Sequence, residues 1–422
     1  MRCGSGPTTR IYPSRTGWLV GDIRVLVVDD SAVVRRIVAQ VLDAEPGISV
    51  VGTAQNGRIA LEKLTELSPD AVTLDIEMPE LDGLGTLKEL RKTHPRTPVI
   101  MFSTLTERGA SATIEALSLG ASDYVTKPSN TTALTQSVRS VREQLVPKLR
   151  SLCGGAALPG GMPAAAQPGR RYGAAAAATG PAGAMAASAR RPGTAGRPAP
   201  GAPTARLTPA AKRPDILVIG SSTGGPEALA RVLGGLPASL PVPVAVVQHM
   251  PPIFTRLLAE RLSRSSALDV REAAQDDQLV PGRVLIAPGD RHLEVVRRGT
   301  GLYANLTTAP PENFCRPAVD VLFRSVATVF GGSVLAVVLT GMGSDGKLGA
   351  QVLKTRGARV LAQDQSTSVV WGMPGAVTTA GLADAVLPLD AVPGAIVDSI
   401  GLAGRPRSAG ATEAALTRGT RA

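Results

Sequence analysis

Between residues 148 and 213 the chain is dominated by alanine, glycine and proline, with five consecutive alanines at 174–178. Too few large apolar side chains occur there to exclude water from a core. A chain of 422 residues interrupted in this way folds around two separate cores. The sequence therefore predicts an N-terminal extension over 1–22, a folded part over 23–147 and a linker over 148–213. A second folded part follows over 214–403, and a tail over 404–422. As a flexible coil the 66 linker residues would span roughly 45 Å root-mean-square.

The net charge of +11 suggests an anionic partner until it is mapped along the chain. The stretch before Asp22 has three arginines and no acids, the linker ten Lys and Arg and no acids, and the tail four arginines against one glutamate. These segments carry +16 together, which leaves −5 for the folded parts. With aromatics at 3%, a stacking surface for single strands is excluded too, so no nucleic-acid partner is expected. Cys3, Cys153 and Cys315 lie far apart, with neither metal-ligand spacing nor a disulfide framework, which fits a reducing cytoplasm. The first twenty residues lack the apolar centre of a signal peptide, and no run reaches the ~18 apolar residues of a membrane span. The start before Asp22 reads as an extension or as a misplaced start codon.

In the first folded part short apolar runs at 24–28, 71–74, 98–102 and 123–125 alternate with helical patterns. Such alternation predicts a parallel sheet with helices on both faces, and ligands gather beyond the carboxyl ends of its strands. The residues found there are Asp29 and Asp30, Asp75, Ser103 and Lys127. Carboxylates in that number suit a hard cation such as Mg²⁺, and the cation and the lysine together suit an incoming phosphoryl group. The motifs VVDDS, LDIEMPELDG, FST and YVTKP resemble a receiver domain of two-component signalling. The resemblance implies a doubly wound five-stranded sheet, with Asp75 as phospho-acceptor and Asp29, Asp30 and Asp75 around Mg²⁺. It also implies that Lys127 contacts the phosphoryl group, that Ser103 senses it and that the Tyr124 ring repositions.

The second folded part again alternates strand and helix patterns, which predicts a mostly parallel α/β sheet. Strand candidates fall at 216–219, 242–247, 283–286, 333–339 and 359–362. After the first of them comes Gly220-Ser221-Ser222-Thr223-Gly224-Gly225, then a helical pattern from Pro226. A serine in G-x-S-x-G at a strand-to-helix turn is held clear of the backbone, with glycines leaving room for a substrate carbonyl. The same six residues also fit a phosphate-binding loop or a plain turn.

A serine nucleophile needs a base. Of three histidines, His94 lies in the first folded part and His292 precedes a further strand candidate. His249 directly follows the 242–247 run, so a parallel strand would deliver it to the sheet edge that carries Ser222. A third group must orient the imidazole, and another apolar run opens onto Thr340-Gly341-Met342-Gly343-Ser344-Asp345-Gly346, which carries Asp345. The glycines there let the backbone approach a ligand and offer an N–H to an oxyanion.

The order Ser, His, Asp differs from the Ser, acid, His order of α/β-hydrolases. GSSTGG, QHMP, LTGMGSDG and AQDQSTSVVWGMPGAV, with the receiver in front, resemble the chemotaxis protein-glutamate methylesterase family. That resemblance implies Ser222 as nucleophile, His249 as general base and then acid, Asp345 as orienting carboxylate and the Met342 N–H as oxyanion donor. Thr223 is implied beside the site and Arg316 as a substrate-positioning residue. The implied activity is ester hydrolysis at methyl-glutamate, and deamidation of glutamine, on the cytoplasmic helices of a chemoreceptor. The implied phosphodonor is a chemotaxis histidine kinase, the implied location the cytoplasm, with membranes approached only through the receptor. No cofactor is implied for the esterase chemistry. The resemblance further implies that the unphosphorylated receiver covers the esterase site. The linker is longer than the family suggests, and Ser221 stands where alanine is common.

Overall fold

The computed structural model describes residues 22–127, 134–154 and 213–401. The expected N-terminal extension up to residue 21, most of the linker, the tail and Pro128 lie outside the described residues.

The first folded part runs β1 (Ile23–Val28), α1 (Ala32–Asp43), β2 (Ile48–Ala54), α2 (Gly57–Leu67), β3 (Ala71–Asp75), α3 (Gly83–Thr93), β4 (Val99–Ser103), α4 (Glu107–Ser118), β5 (Asp123–Thr126) and α5 (Leu134–Cys153). Helices α1 to α4 start where Ser31, Asn56, Asp82 and Thr106 turn a side-chain oxygen back onto a backbone N–H of the first turn. Each cap satisfies a donor that the helix cannot. The five strands pair in parallel in the order β2-β1-β3-β4-β5. Strands β3 and β4 are buried along their whole length, which is why they read as near-continuous apolar runs rather than alternating ones.

Helix α5 continues to Cys153, past the linker boundary expected at residue 148. Pro147 and the Gly/Ala-rich sequence beyond it suggest an earlier stop, but tertiary contacts hold the last turns. Leu149 is fully buried, and Arg150 pairs with the buried Glu45 at 3.0 Å. Lys148 pairs with Asp123 at 2.7 Å. Two positive charges assigned to the linker therefore belong to the receiver.

The second folded part runs β6 (Ile216–Ser221), α6 (Gly225–Gly234), β7 (Val244–Gln248), α7 (Phe254–Ser265), β8 (Asp269–Glu272), β9 (Arg283–Ile286), β10 (His292–Arg298), β11 (Gly301–Thr307), α8 (Val319–Phe330), β12 (Val334–Val338), α9 (Lys347–Thr355), β13 (Arg359–Gln363), α10 (Met373–Thr379) and β14 (Ala385–Leu387). A 3₁₀ turn at Leu389–Ala391 leads into α11 (Val392–Ile400). Seven strands form one parallel sheet ordered β14-β13-β12-β6-β7-β9-β8, and β10 and β11 form a separate antiparallel hairpin. The expected strands are all present. The edge strands β8 and β14 were not foreseen: β8 has a single apolar residue, and β14, though apolar, is only three residues long and partly exposed.

Both sheets reverse their winding direction beside the first strand of each part. In the receiver the switch lies between β1 and β3, and in the second part between β6 and β12. Crevices at such points are where α/β sheets bind ligands. Among the described residues no helix is long and apolar enough to cross a membrane.

Candidate active site and its receiver cover

At the receiver's switch point, ligand atoms of Asp29, Asp30 and Asp75 lie within 4.8 Å of one another. Lys127 Nζ stands 2.7 Å from Asp75 Oδ2 and 3.0 Å from Asp29 Oδ2. Burial, followed by the neighbouring Asp29, pushes the Asp75 carboxyl up to about 6 against the pull of Lys127. An all-oxygen donor set of this kind fits a hard cation. Ser103 is buried and donates to Gly109 O at 3.1 Å while accepting from the Thr113 hydroxyl at 2.6 Å. All the residues expected at this site share the carboxyl edge except Tyr124, which lies near the start of β5 and stacks on Phe254 of the second part.

In the second part Ser222 follows β6 directly, and Gly224 turns the chain into α6 at φ +76°. A Cβ at Gly224 would also come within 2.6 Å of Val369, so both conformation and space require glycine. The Ser222 N–H donates to Thr340 O at 3.0 Å, which ties the Ser222 loop to the chain leaving β12. Gly341 presses against the serine, since a Cβ there would lie 2.8 Å from the Ser222 Cβ. Among the described residues no hydrogen bond engages the Met342 N–H or the Ser222 hydroxyl.

His249 follows β7, and its N–H donates to Ser221 O at 3.1 Å. Its Nε2 donates to Asp345 Oδ2 at 2.8 Å, and its Nδ1 lies 3.5 Å from Cys315 Sγ. Burial pushes the imidazole pKa down, but the Asp345 hydrogen bond and the Cys315 contact outweigh it and raise it to about 9. Asp345 is buried and accepts four further hydrogen bonds: the N–H groups of Val319, Asp320 and Gly346, and the Asn313 amide at 3.0 Å. Burial alone would raise its pKa; His249 and the backbone donors hold it below the usual carboxylate range. Two of those donors are the first N–H groups of α8, so the positive end of that helix helps to keep Asp345 ionised.

Sequence reasoning missed three supports. Gln248 donates from Nε2 to Ser222 O at 2.9 Å, and its Oε1 accepts from the Ser221 hydroxyl at 2.7 Å. Asn313 bridges Asp345 and Asp320, at 3.0 Å from each. His292 is fully buried, with Nε2 donating to Pro310 O and Nδ1 accepting from the Ala318 N–H. It thereby fastens both ends of the loop that carries Asn313 and Cys315, with both ring nitrogens engaged. Only Gln248 had a usable signal, from its place beside His249 at a strand end. Arg316 also differs from expectation. Its guanidinium donates to Asp290 and to the carbonyls of Thr308 and Ala309, so it braces this loop from within.

The receiver lies over the serine. Leu117, Asp123, Tyr124 and Lys148 close a cleft against Ser222, Thr223, Gln248 and His249, leaving about 30 Å³, room for roughly one water. The Thr223 hydroxyl donates to Asp123 Oδ2 at 2.5 Å, and Lys148 holds the other oxygen of that carboxylate. Farther out, Arg256 pairs with Glu107 at the rim.

Residues 217–396 match the family model for CheB methylesterase, and residues 25–139 that for the response regulator receiver domain. A protein-glutamate methylesterase/protein-glutamine glutaminase of Nocardioides sp. is 55% identical over 87% of this chain and 92% of its own length. A protein of the same name from Trichodesmium erythraeum is 45% identical over 90% of this chain and 99% of its own. The CheB methylesterase catalytic domain of Thermotoga maritima is 44% identical, covering 44% of this chain and 98% of its own, with a TM-score of 0.43. With two domain models in this order and relatives aligned over nearly their whole length, the chain belongs to the CheB family of protein-glutamate methylesterases/protein-glutamine glutaminases.

Proposed function

We propose that this protein is a phosphorylation-gated serine hydrolase that removes methyl groups from γ-methyl-glutamate residues of chemoreceptors and deamidates receptor glutamines. The observation that supports this reading is the approach of Ser222 and the His249–Asp345 pair at one sheet edge, with Gly341 pressed against the serine, under a receiver that contacts Thr223. Ser222 Oγ attacks the ester carbonyl while its proton passes to His249, and the Met342 N–H receives the developing oxyanion. His249 then protonates departing methanol, and water releases the glutamate carboxylate from the acyl-serine. A glutamine side chain presents the same carbonyl and loses ammonia instead. Asp345 keeps the imidazole oriented and stabilises it once charged. Arg316 acts on substrate only through the loop it braces.

In the closed geometry both imidazole nitrogens are occupied, one by Asp345 and the other by Cys315. Catalysis therefore requires the ring to turn its Nδ1 from Cys315 toward Ser222 as the cover lifts. The cover would respond to Asp75, the phospho-acceptor, with Lys127 contacting the phosphoryl group and Ser103 and Tyr124 sensing it. Mg²⁺ held by Asp29, Asp30 and Asp75 supplies charge neutralisation for the phosphoryl group when bound. The phosphodonor is a chemotaxis histidine kinase, and the setting is the cytoplasmic face of the receptor array. Receptor membranes carrying radiolabelled methyl-glutamate test this directly. Methanol release should rise with a small phosphodonor and Mg²⁺ and disappear in Ser222→Ala. Release that persists in the variant would sink the serine mechanism.

A further inference from the structure

One aromatic side chain near the active site packs on nothing. Phe314 has a relative exposure of 105%, and it sits three residues before the Pro317 that leads into α8. Glu312 and Cys315 exchange backbone hydrogen bonds at 3.1 and 2.8 Å, so Asn313 and Phe314 form a two-residue hairpin turn. Both have positive φ, +51° and +62°. That geometry favours Asn-Gly, and a phenylalanine in the glycine position is strained. The turn is nevertheless held firmly from inside. Asn313 is tied to Asp345 and Asp320, Glu312 to Arg324, and Cys315 lies against His249. An aromatic in a position that suits glycine, fully in solvent and one residue from a contact of the catalytic imidazole, has no use within the fold. Strain of this kind concentrates where function requires it.

We propose that Phe314 is a substrate-docking residue that receives an apolar side chain of the receptor helix next to the target glutamate. It lies outside the receiver's footprint, so it is available while Ser222 is covered. The substrate helix therefore engages the closed enzyme at Phe314 first and reaches Ser222 when the receiver lifts. A helix places side chains three and four residues apart on one face, so an apolar neighbour of the modified glutamate is oriented to reach it. This inference rests on the reading of a receptor glutamyl ester as substrate.

Phe314→Gly is the informative variant, because it installs the residue that the turn favours and so keeps the fold while removing the ring. The full chain would be assayed against membrane vesicles containing a methylated chemoreceptor, with receptor-free vesicles as control. Expected is an increase of about tenfold in KM with kcat retained, the scale of one buried aromatic anchor, and a matching loss of co-sedimentation by the unphosphorylated protein. Phe314→Trp should restore both. An unchanged KM and unchanged co-sedimentation in Phe314→Gly would overturn the proposal while leaving the esterase reading intact. So would a fall in kcat alone, or loss of self-association in place of receptor binding. Absence of methanol release by the wild type would instead refute the esterase reading, and co-sedimentation would still report on Phe314.

Discussion

The two halves of this molecule solve the same placement problem with different materials. Each puts its chemistry at the carboxyl edge of a parallel sheet, at the point where the winding reverses. In the receiver the groups come straight off the strands: Asp29 and Asp30 after β1, Asp75 at the end of β3, Ser103 at the end of β4 and Lys127 after β5. In the esterase half only Ser222 and His249 follow strands directly. Asp345 stands seven residues beyond β12, and five hydrogen bonds hold it in place. A strand-end site is ordered by the sheet itself, whereas a loop site must be ordered by its own polar contacts. The esterase centre should therefore be sensitive to second-tier residues in a way that the receiver site is not.

The sharpest way to break that comparison is to remove charge from the most heavily supported loop group. Asp345→Asn should lower kcat by about 10⁴-fold, because the imidazole loses its orienting acceptor and the stabilisation of its charged form. The pH profile supplies the sign. With Asp345 present, His249 is held protonated up to about 9, and the base form appears only as the pH rises toward that value. Without the carboxylate the charged imidazole loses a stabilising partner, so the acid limb of kcat/KM should move to lower pH while its plateau falls. An unshifted limb would mean that Asp345 does not set the protonation of His249.

A smaller effect is expected where the halves meet. Asp123 begins β5 and Lys127 follows its end, about 13 Å apart at ~3.3 Å per residue. The strand thus joins the Asp75–Lys127 pair to the carboxylate that holds Thr223. A hydrogen bond to a charged acceptor is worth about 1.5–3 kcal/mol. Asp123→Ala removes it from the docked state only, so methanol release without phosphodonor should rise about tenfold, and the phosphodonor should then add less. Unchanged basal release would show that the Tyr124–Phe254 stack and the Arg256–Glu107 pair hold the cover without Asp123. The Arg256 pair is the weaker brace, since it is partly solvated, and Arg256→Ala should change basal release by less than about threefold, as expected for an exposed ion pair.

This contrast also explains what could be read from the chain alone. The receiver's order of acids, hydroxyl and lysine was legible because each follows an apolar run, and a parallel sheet brings run ends together. Ser222 and His249 were legible for the same reason. Asp345 was reached through its glycine-rich loop and a resemblance, because periodicity does not say where a loop folds back. Asn313, Asp320 and His292 gave no signal, since their roles depend on a turn and a helix start that converge only in three dimensions. The end of α5 was misjudged because composition changes at residue 148 while burial of Leu149 and the Arg150–Glu45 pair carry the helix on.

Ser221 makes the finest test of the difference between strand-ordered and contact-ordered groups. It is the last residue of β6, fully buried, and its hydroxyl donates to Gln248 Oε1 at 2.7 Å. Gln248 in turn donates to the carbonyl of Ser222, so Ser221 steadies the Ser222 backbone through one intermediate. The sheet already fixes the backbone on both sides, with Ser221 paired to Gln248 in the β6–β7 register. Ser221→Ala should therefore cost stability more than rate. The amide oxygen left without its donor costs about 1–3 kcal/mol, visible as a lower urea midpoint with an unchanged slope. Because the β6–β7 ladder still holds the strand ends, kcat should fall less than about threefold and KM should stay the same. A larger fall in kcat with no loss of stability would reverse the assignment. It would mean that even the strand-borne Ser222 depends on its polar contacts, as Asp345 does, and that the two halves differ less than their geometry indicates.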